Sequence, residues 1–96
     1  MAYGIVHRFS GGTSEQYDAA LAKVHRNGGA DLPEGQTLHI GGRTDDGWIV
    51  IALHESRESW ERFRDEILIP GLPEVEGGFP GPPEETAFDV YKLQFG

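Results

Sequence analysis

Trp48-Ile49-Val50-Ile51-Ala52-Leu53-His54 decides the fold. Successive strand residues point to opposite sides of a sheet, and this run is apolar on both, so both of its faces must leave water. Helices of the same chain can cover one face. In a chain of 96 residues nothing is left to cover the other. A partner subunit or a bound apolar ligand is therefore implied.

The flanks give the neighbouring elements. Thr44-Asp45-Asp46-Gly47 precedes the run, and Asp-Gly is a strong hairpin signal. Thr37 to Arg43 is therefore the partner strand. Ser56 follows as a helix N-cap with Glu58 in the first turn. Trp60, Phe63, Arg64, Ile67 and Leu68 trace the inner face of this second helix, and Pro70-Gly71 is expected to end it. Toward the N-terminus, Tyr3 to Phe9 reads as a strand stopped by Ser10-Gly11-Gly12. Thr13 and Gln16 have capping-box spacing. Tyr17, Ala20, Leu21 and Val24 recur at helical spacing, and Asn27-Gly28-Gly29 closes that helix because these residues accept positive φ cheaply. Asp31 to Gly35 is a turn-rich connection. Pro70 to Glu85 is rich in Pro and Gly and has no periodicity; such a loop is often functional or carries the chain across a subunit boundary. Thr86 to Phe95 reads as the last strand, apolar on both faces.

The order strand, helix, strand, strand, helix, strand defines one α+β domain over residues 1–96. Right-handed crossovers fold it into a ferredoxin-like antiparallel sheet of order 4-1-3-2 with both helices on one face. Two such sheets packed face to face would bury the undersides of strands three and four, and a closed two-fold homodimer, an α/β barrel, is the simplest arrangement. The net charge is −8, which argues against nucleic acid and anionic membrane, since both need clustered Lys and Arg. There is no cysteine and no apolar run near the roughly 18 residues that span a bilayer. The start of the chain reads as a strand rather than a leader, so a cytoplasmic protein is expected.

Gly4-Ile5-Val6-His7-Arg8-Phe9 with Gly11-Gly12-Thr13 behind it, Trp48 to Leu53, and Glu55-Ser56-Arg57-Glu58-Ser59-Trp60-Glu61-Arg62-Phe63 together resemble the dimeric α/β-barrel superfamily. That group includes the antibiotic biosynthesis monooxygenase-like and stress-responsive α/β-barrel proteins. The last stretch looks like the S-x-E-S-W-x-x-F start of helix two in small actinobacterial members. The resemblance implies a homodimer with a pocket between helices and sheet or inside the barrel. It implies a small apolar or aromatic, polyketide-like ligand, and either cofactor-independent monooxygenase or cyclase chemistry. Haem-degrading members pair a His on helix two with an Asn on an early strand. Here helix two has no His and the one Asn is Asn27, so that pattern is not met and no cofactor is expected. In the stress-responsive type a His on strand one can act as base, and His7 sits in a comparable place.

Four histidines are present, His7, His25, His39 and His54. Three lie on expected strands. Imidazole titrates near neutrality, so a strand His in a dry pocket can remove a proton from an acidic carbon or phenol. His7 is the expected base, with His39 or Tyr3 polarising an oxygen. Tyr3, Trp48, Val50, His54 and Trp60 are the candidate binding residues. Trp60 also heads the inner stripe of helix two, where core packing is expected, and Trp48 is placed at the subunit interface. The hairpin puts Arg43 opposite Trp48 and His39 opposite Ala52, with His7 near Val50. Trp48, Val50, Ala52, His54 and His39 then share a face. His7 and His39 come out about 10 Å apart across two strand spacings, whereas zinc needs its nitrogens at about 2 Å; no metal is expected. The competing function is a non-catalytic binding or structural dimer.

Overall fold

A computed structural model describes residues 2–96. Strand β1 spans Tyr3–Ser10, helix α1 Ser14–Val24, strand β2 Gln36–Thr44, strand β3 Gly47–His54, helix α2 Arg57–Phe63 and strand β4 Glu84–Asp89. All strand pairs are antiparallel and the sheet order is β2-β3-β1-β4, which from the β4 edge runs 4-1-3-2. The architecture is α+β, a four-stranded antiparallel sheet with two main helices, compatible with a ferredoxin-like fold.

The hairpin sets the register. Arg43 stands opposite Trp48, His39 opposite Ala52, and His7 opposite Val50. Ile5, His7 and Phe9 of β1 and Val50 and Ala52 of β3 therefore face the same way. They meet Tyr17, Ala20, Leu21 and Val24 of α1 and Trp60 and Phe63 of α2 on one side of the sheet. Ile5, Val24, Trp60 and Phe63 form the buried core, with Tyr3, Leu68 and Leu72 packed against it. Burying one such large side chain stabilises by about 1.5–3 kcal/mol.

Local chemistry fixes both helix starts. Gln16 N–H donates to Thr13 Oγ1 at 3.2 Å and Thr13 N–H donates to Gln16 Oε1 at 3.1 Å, a complete capping box. Ser59 N–H donates to Ser56 Oγ at 3.0 Å. Asn27, Gly28 and Gly29 all take positive φ after α1, as their small or polar side chains permit.

Two expectations are corrected. Pro70 does not end the second helix. Arg64–Leu68 widens into a π turn in which Ile69 N–H donates to Arg64 O. A short helix α3, Ile69–Gly71, and a 3-10 turn, Leu72–Glu74, continue beyond it. Proline lacks an N–H and its ring crowds the carbonyl four residues back; the wider turn just ahead of Pro70 accommodates both defects. The extra residue in that turn also rotates the following positions. Leu68 and Leu72 then line the interior, while Ile67, expected on the inner face, is largely exposed.

The last strand is likewise shorter and earlier than the Thr86 to Phe95 reading. β4 starts at Glu84 and stops at Asp89 because β1, its one neighbour, begins at Tyr3 opposite Asp89. Val90 N–H still donates to Ala2 O at 3.0 Å, and residues 91–96 have no regular structure.

The other side of the sheet carries Val6, Ile49, Ile51, Leu53, Leu38, Ile40 and Phe88 by alternation. Leu53 is buried, whereas Ile40 and Phe88 are 51% and 43% exposed. The Phe88 ring lies directly over Gly4, where any Cβ would collide with it. Gly4→Val is expected to lift Phe88 and β4 off β1 and to lower stability by about 1–3 kcal/mol, read by urea denaturation. A change within 0.3 kcal/mol, with unaltered Phe88 chemical shifts, would refute this packing.

Candidate active site

Two adjoining spaces open between helices and sheet. The inner cavity, about 60 Å³, lies between α1, α2 and the sheet, and its polar lining is His7, Tyr17, His25, Gln36 and His39. An outer groove of about 600 Å³ runs between the π turn with α3 and the segment Phe79-Pro80-Gly81-Pro82-Pro83. His7, Leu68, Leu72 and Phe79 line both. The Pro- and Gly-rich segment thus forms one wall of the groove, anchored where Phe79 stacks on Phe9 at 3.7 Å between ring centroids.

His7 stands at the junction of the two spaces. The buried ring bonds Glu85 through Nε2 at 2.7 Å. A carboxylate can only accept, so Nε2 carries the proton and Nδ1 is left as the basic atom. Register brings the pair together, since His7 and Glu85 are directly opposite on β1 and β4. Trp60, 5.7 Å from the imidazole between centroids, packs against it from α2.

At the other end of the cavity five side chains form a continuous row. Tyr17 Oη lies 2.6 Å from His39 Nε2, His39 Nδ1 2.9 Å from Gln36 Oε1, Gln36 Nε2 3.3 Å from His54 Nε2, and His54 Nδ1 3.3 Å from Ser59 Oγ. The amide, with Oε1 toward His39 and its NH2 toward His54, sets the order of the protons. Gln36 Oε1 must accept from His39 Nδ1–H and its NH2 must donate to His54 Nε2. Tyr17 O–H then donates to His39 Nε2, and His54 Nδ1–H donates to Ser59 Oγ. Both imidazoles are neutral in this arrangement. Burial, with His25 nearby, pushes His39 and His54 down to about 4. Burial alone also lowers His25, whose ring meets His39 edge-on at 4.5 Å. Tyr17 is raised, first by burial and then by Asp18.

No family model, curated protein or solved structure matches the chain.

Of the residues expected at the site, His7, His39, Val50 and Trp60 line the inner cavity. His54 does not. It is fully buried behind the lining, held by Gln36 and Ser59. Tyr3 packs on the core edge beneath the Arg57 guanidinium, which lies 5.9 Å from its ring centroid; it does not line the cavity, and Tyr17 supplies the phenol instead. Trp48 is not on the outer face either. Its parity with Val50 turns it inward, where it packs on Tyr17 at 5.1 Å, away from the cavity lining. Its Nε1 is buried without a partner among the described residues. Among those residues no group of three or more His, Asp or Glu is arranged to hold a metal ion, and no helix is long and apolar enough to cross a membrane.

Gln36, Ser59 and Glu85 were not expected. Glu85 lies one residue before the expected strand start. Gln36 faces inward because of a bulge between Gln36 and Leu38, which pairs Gln36 with His54 and Leu38 with Leu53. An extra residue reverses parity, so regular alternation from His39 places Gln36 on the wrong face.

Proposed function

We propose that the protein binds a small apolar or aromatic molecule between helices and sheet and removes a proton from it with the His7–Glu85 pair. His7 at the meeting point of cavity and groove, with its Nε2 held by a carboxylate, carries this reading. A carboxylate behind an imidazole orients the ring and stabilises the imidazolium that forms. Apart from Arg64, His7 and Glu85 the groove lining is apolar, which favours uncharged molecules. Proton abstraction from an activated carbon or phenol is the step shared by cofactor-independent monooxygenases and cyclases, and the sequence resemblance to the dimeric α/β-barrel superfamily supports the same class.

The test is solvent-deuterium exchange into activated C–H groups of a panel of aromatic β-dicarbonyl compounds, followed by mass spectrometry. General-base catalysis contributes about 10²–10⁴-fold. His7→Ala is expected to lose that much rate, and Glu85→Gln a smaller part of it. Exchange unaffected by His7→Ala would remove the assignment. Binding without exchange across the panel would favour the non-catalytic module.

We also propose that a second copy covers the outer face of the sheet. Ile40 and Phe88 lie exposed there. Tyr91, Leu93 and Phe95 alternate with Val90, Lys92 and Gln94, and Tyr91 and Phe95 are 98% and 78% exposed. Alternation of this kind marks a half-buried strand, and these residues lie beyond the part of β4 that pairs with β1. A second copy supplies both the missing strand partner and the missing layer. Sedimentation equilibrium at micromolar concentration should give twice the chain mass, and Ile40→Lys should shift it toward one. A stable single-copy species in the parent protein would contradict the assembly.

A further inference from the structure

The row Tyr17–His39–Gln36–His54–Ser59 does more than fill hydrogen-bond valences, because it has a direction. Its inner end, Tyr17, lines the ligand cavity. Its outer end, Ser59, lines a separate surface pocket whose charged residues are Glu34, Glu55, Glu66 and Arg62, three carboxylates against one guanidinium. Gly35 lies so close to Ser59 that a Cβ there would collide with the hydroxyl, so the serine keeps this position only beside a glycine. The hydrogen of each of the four links, as the Gln36 amide orders them, points away from the cavity and toward that net-negative pocket. Negative charge at the outer end favours this polarity, since each bond dipole then presents its positive end to the carboxylates.

We propose that Gln36, His54 and Ser59 are positioning residues that lock Tyr17 as a hydrogen-bond acceptor toward the ligand. With its own proton committed to His39 Nε2, the phenol oxygen offers the cavity only lone pairs. A ligand group placed against it must donate, through O–H or N–H; an ether or carbonyl oxygen finds no donor at Tyr17. A site built to bond a donor rejects the analogue lacking it, because its own polar atom is then left unpaired. The selection therefore arises outside the cavity, along a row running to the opposite surface. This rests on the reading that the cavity takes a ligand, while the direction of the row is independent of it.

Histidine ¹⁵N NMR reads the direction. The parent protein is expected to show His39 and His54 as neutral Nδ1–H tautomers. Gln36→Glu replaces the amide by a group that accepts from both neighbours, so His54 should switch to Nε2–H while His39 stays Nδ1–H. A residue with a merely structural role would leave the tautomer unchanged. Binding of 2-fluoroethanol and 1-fluoropropane, two molecules of equal shape small enough for the inner cavity, followed by ¹⁹F NMR, reads the consequence. The alcohol should bind about tenfold more tightly, and Tyr17→Phe should abolish the difference. An Nε2–H tautomer at either histidine of the parent protein overturns the proposal without requiring any variant to fold. Equal binding of the two probes overturns it while leaving the cavity a ligand site. Binding of neither probe, with the tautomers as stated, would count against the ligand reading itself and end the role given to Tyr17.

Discussion

Trp60→Ala is expected to cost the protein about 3–5 kcal/mol of stability. The indole is almost fully buried and touches both halves of the interior. Its ring lies 5.7 Å from His7, 5.5 Å from His54 and 6.2 Å from Phe63 between centroids, and it belongs to the core with Ile5 and Val24. Truncating a buried Trp to Ala costs about 3–5 kcal/mol. Domains of this size hold about 5–15 kcal/mol in total, so the variant should lose at least about a fifth of its stability. Trp60→Phe keeps most of the apolar area and should lose much less. Urea denaturation checks both. A loss below 1 kcal/mol for Trp60→Ala would mean that α2 is not seated on the sheet as described.

The second large effect is acid sensitivity. His39 and His54 are both pushed down to about 4 in the folded state, against about 6.5 unfolded. Protonation therefore favours the unfolded chain. Their neutral forms cost nothing above about pH 6.5, and stability falls as the pH drops from there toward 4. Each contributes at most about 1.4 kcal/mol per pH unit in that window, and His25, lowered by burial, adds in the same direction. No acidic side chain lines the inner cavity beside His25 and His39 to offset this, and the carboxylates nearest His54, Glu34, Glu55 and Glu66, lie beyond Ser59 in a surface pocket they share with Arg62. Thermal denaturation between pH 7 and pH 4.5 should show a steep fall in Tm, and the double variant His39→Gln, His54→Gln should flatten it. A Tm independent of pH across this range would show that the rings are protonated, or solvated, in the native protein.

The sheet was legible because its signals are local. The Thr44 to Gly47 turn fixes the hairpin register, and the unbroken apolar run of β3 fixes its central place between β1 and β2. The capping box at Thr13 and the Asn27-Gly28-Gly29 stop act within one turn of the backbone. What was not legible depends on events at a distance or on insertions. Pro70 acts backward, through a π turn that turns Ile67 out, while Leu68 stays on the inner face as expected. β4 ends where its neighbour begins, which its own apolar alternation cannot show. The inward side chain of Gln36 depends on a bulge one residue away, and Glu85 becomes a partner of His7 only through the β1–β4 register. Of the site, His7 and His39 were therefore visible as titratable strand residues. Their hydrogen-bond partners were hidden, since polar residues at strand and helix starts ordinarily serve as caps or solvated ends.

The account stands on His7 meeting a ligand where the inner cavity opens into the proline-walled groove. Its most direct test is ¹H–¹⁵N shift mapping of the ¹⁵N-labelled protein against a library of small uncharged aromatic molecules. The predicted result is that binders move the His7 ring and the Trp60 indole together, with smaller shifts at Tyr17 and Phe79. Shifts confined to Ile40, Ile49 and Phe88, or no shift at His7 from any binder, would contradict it.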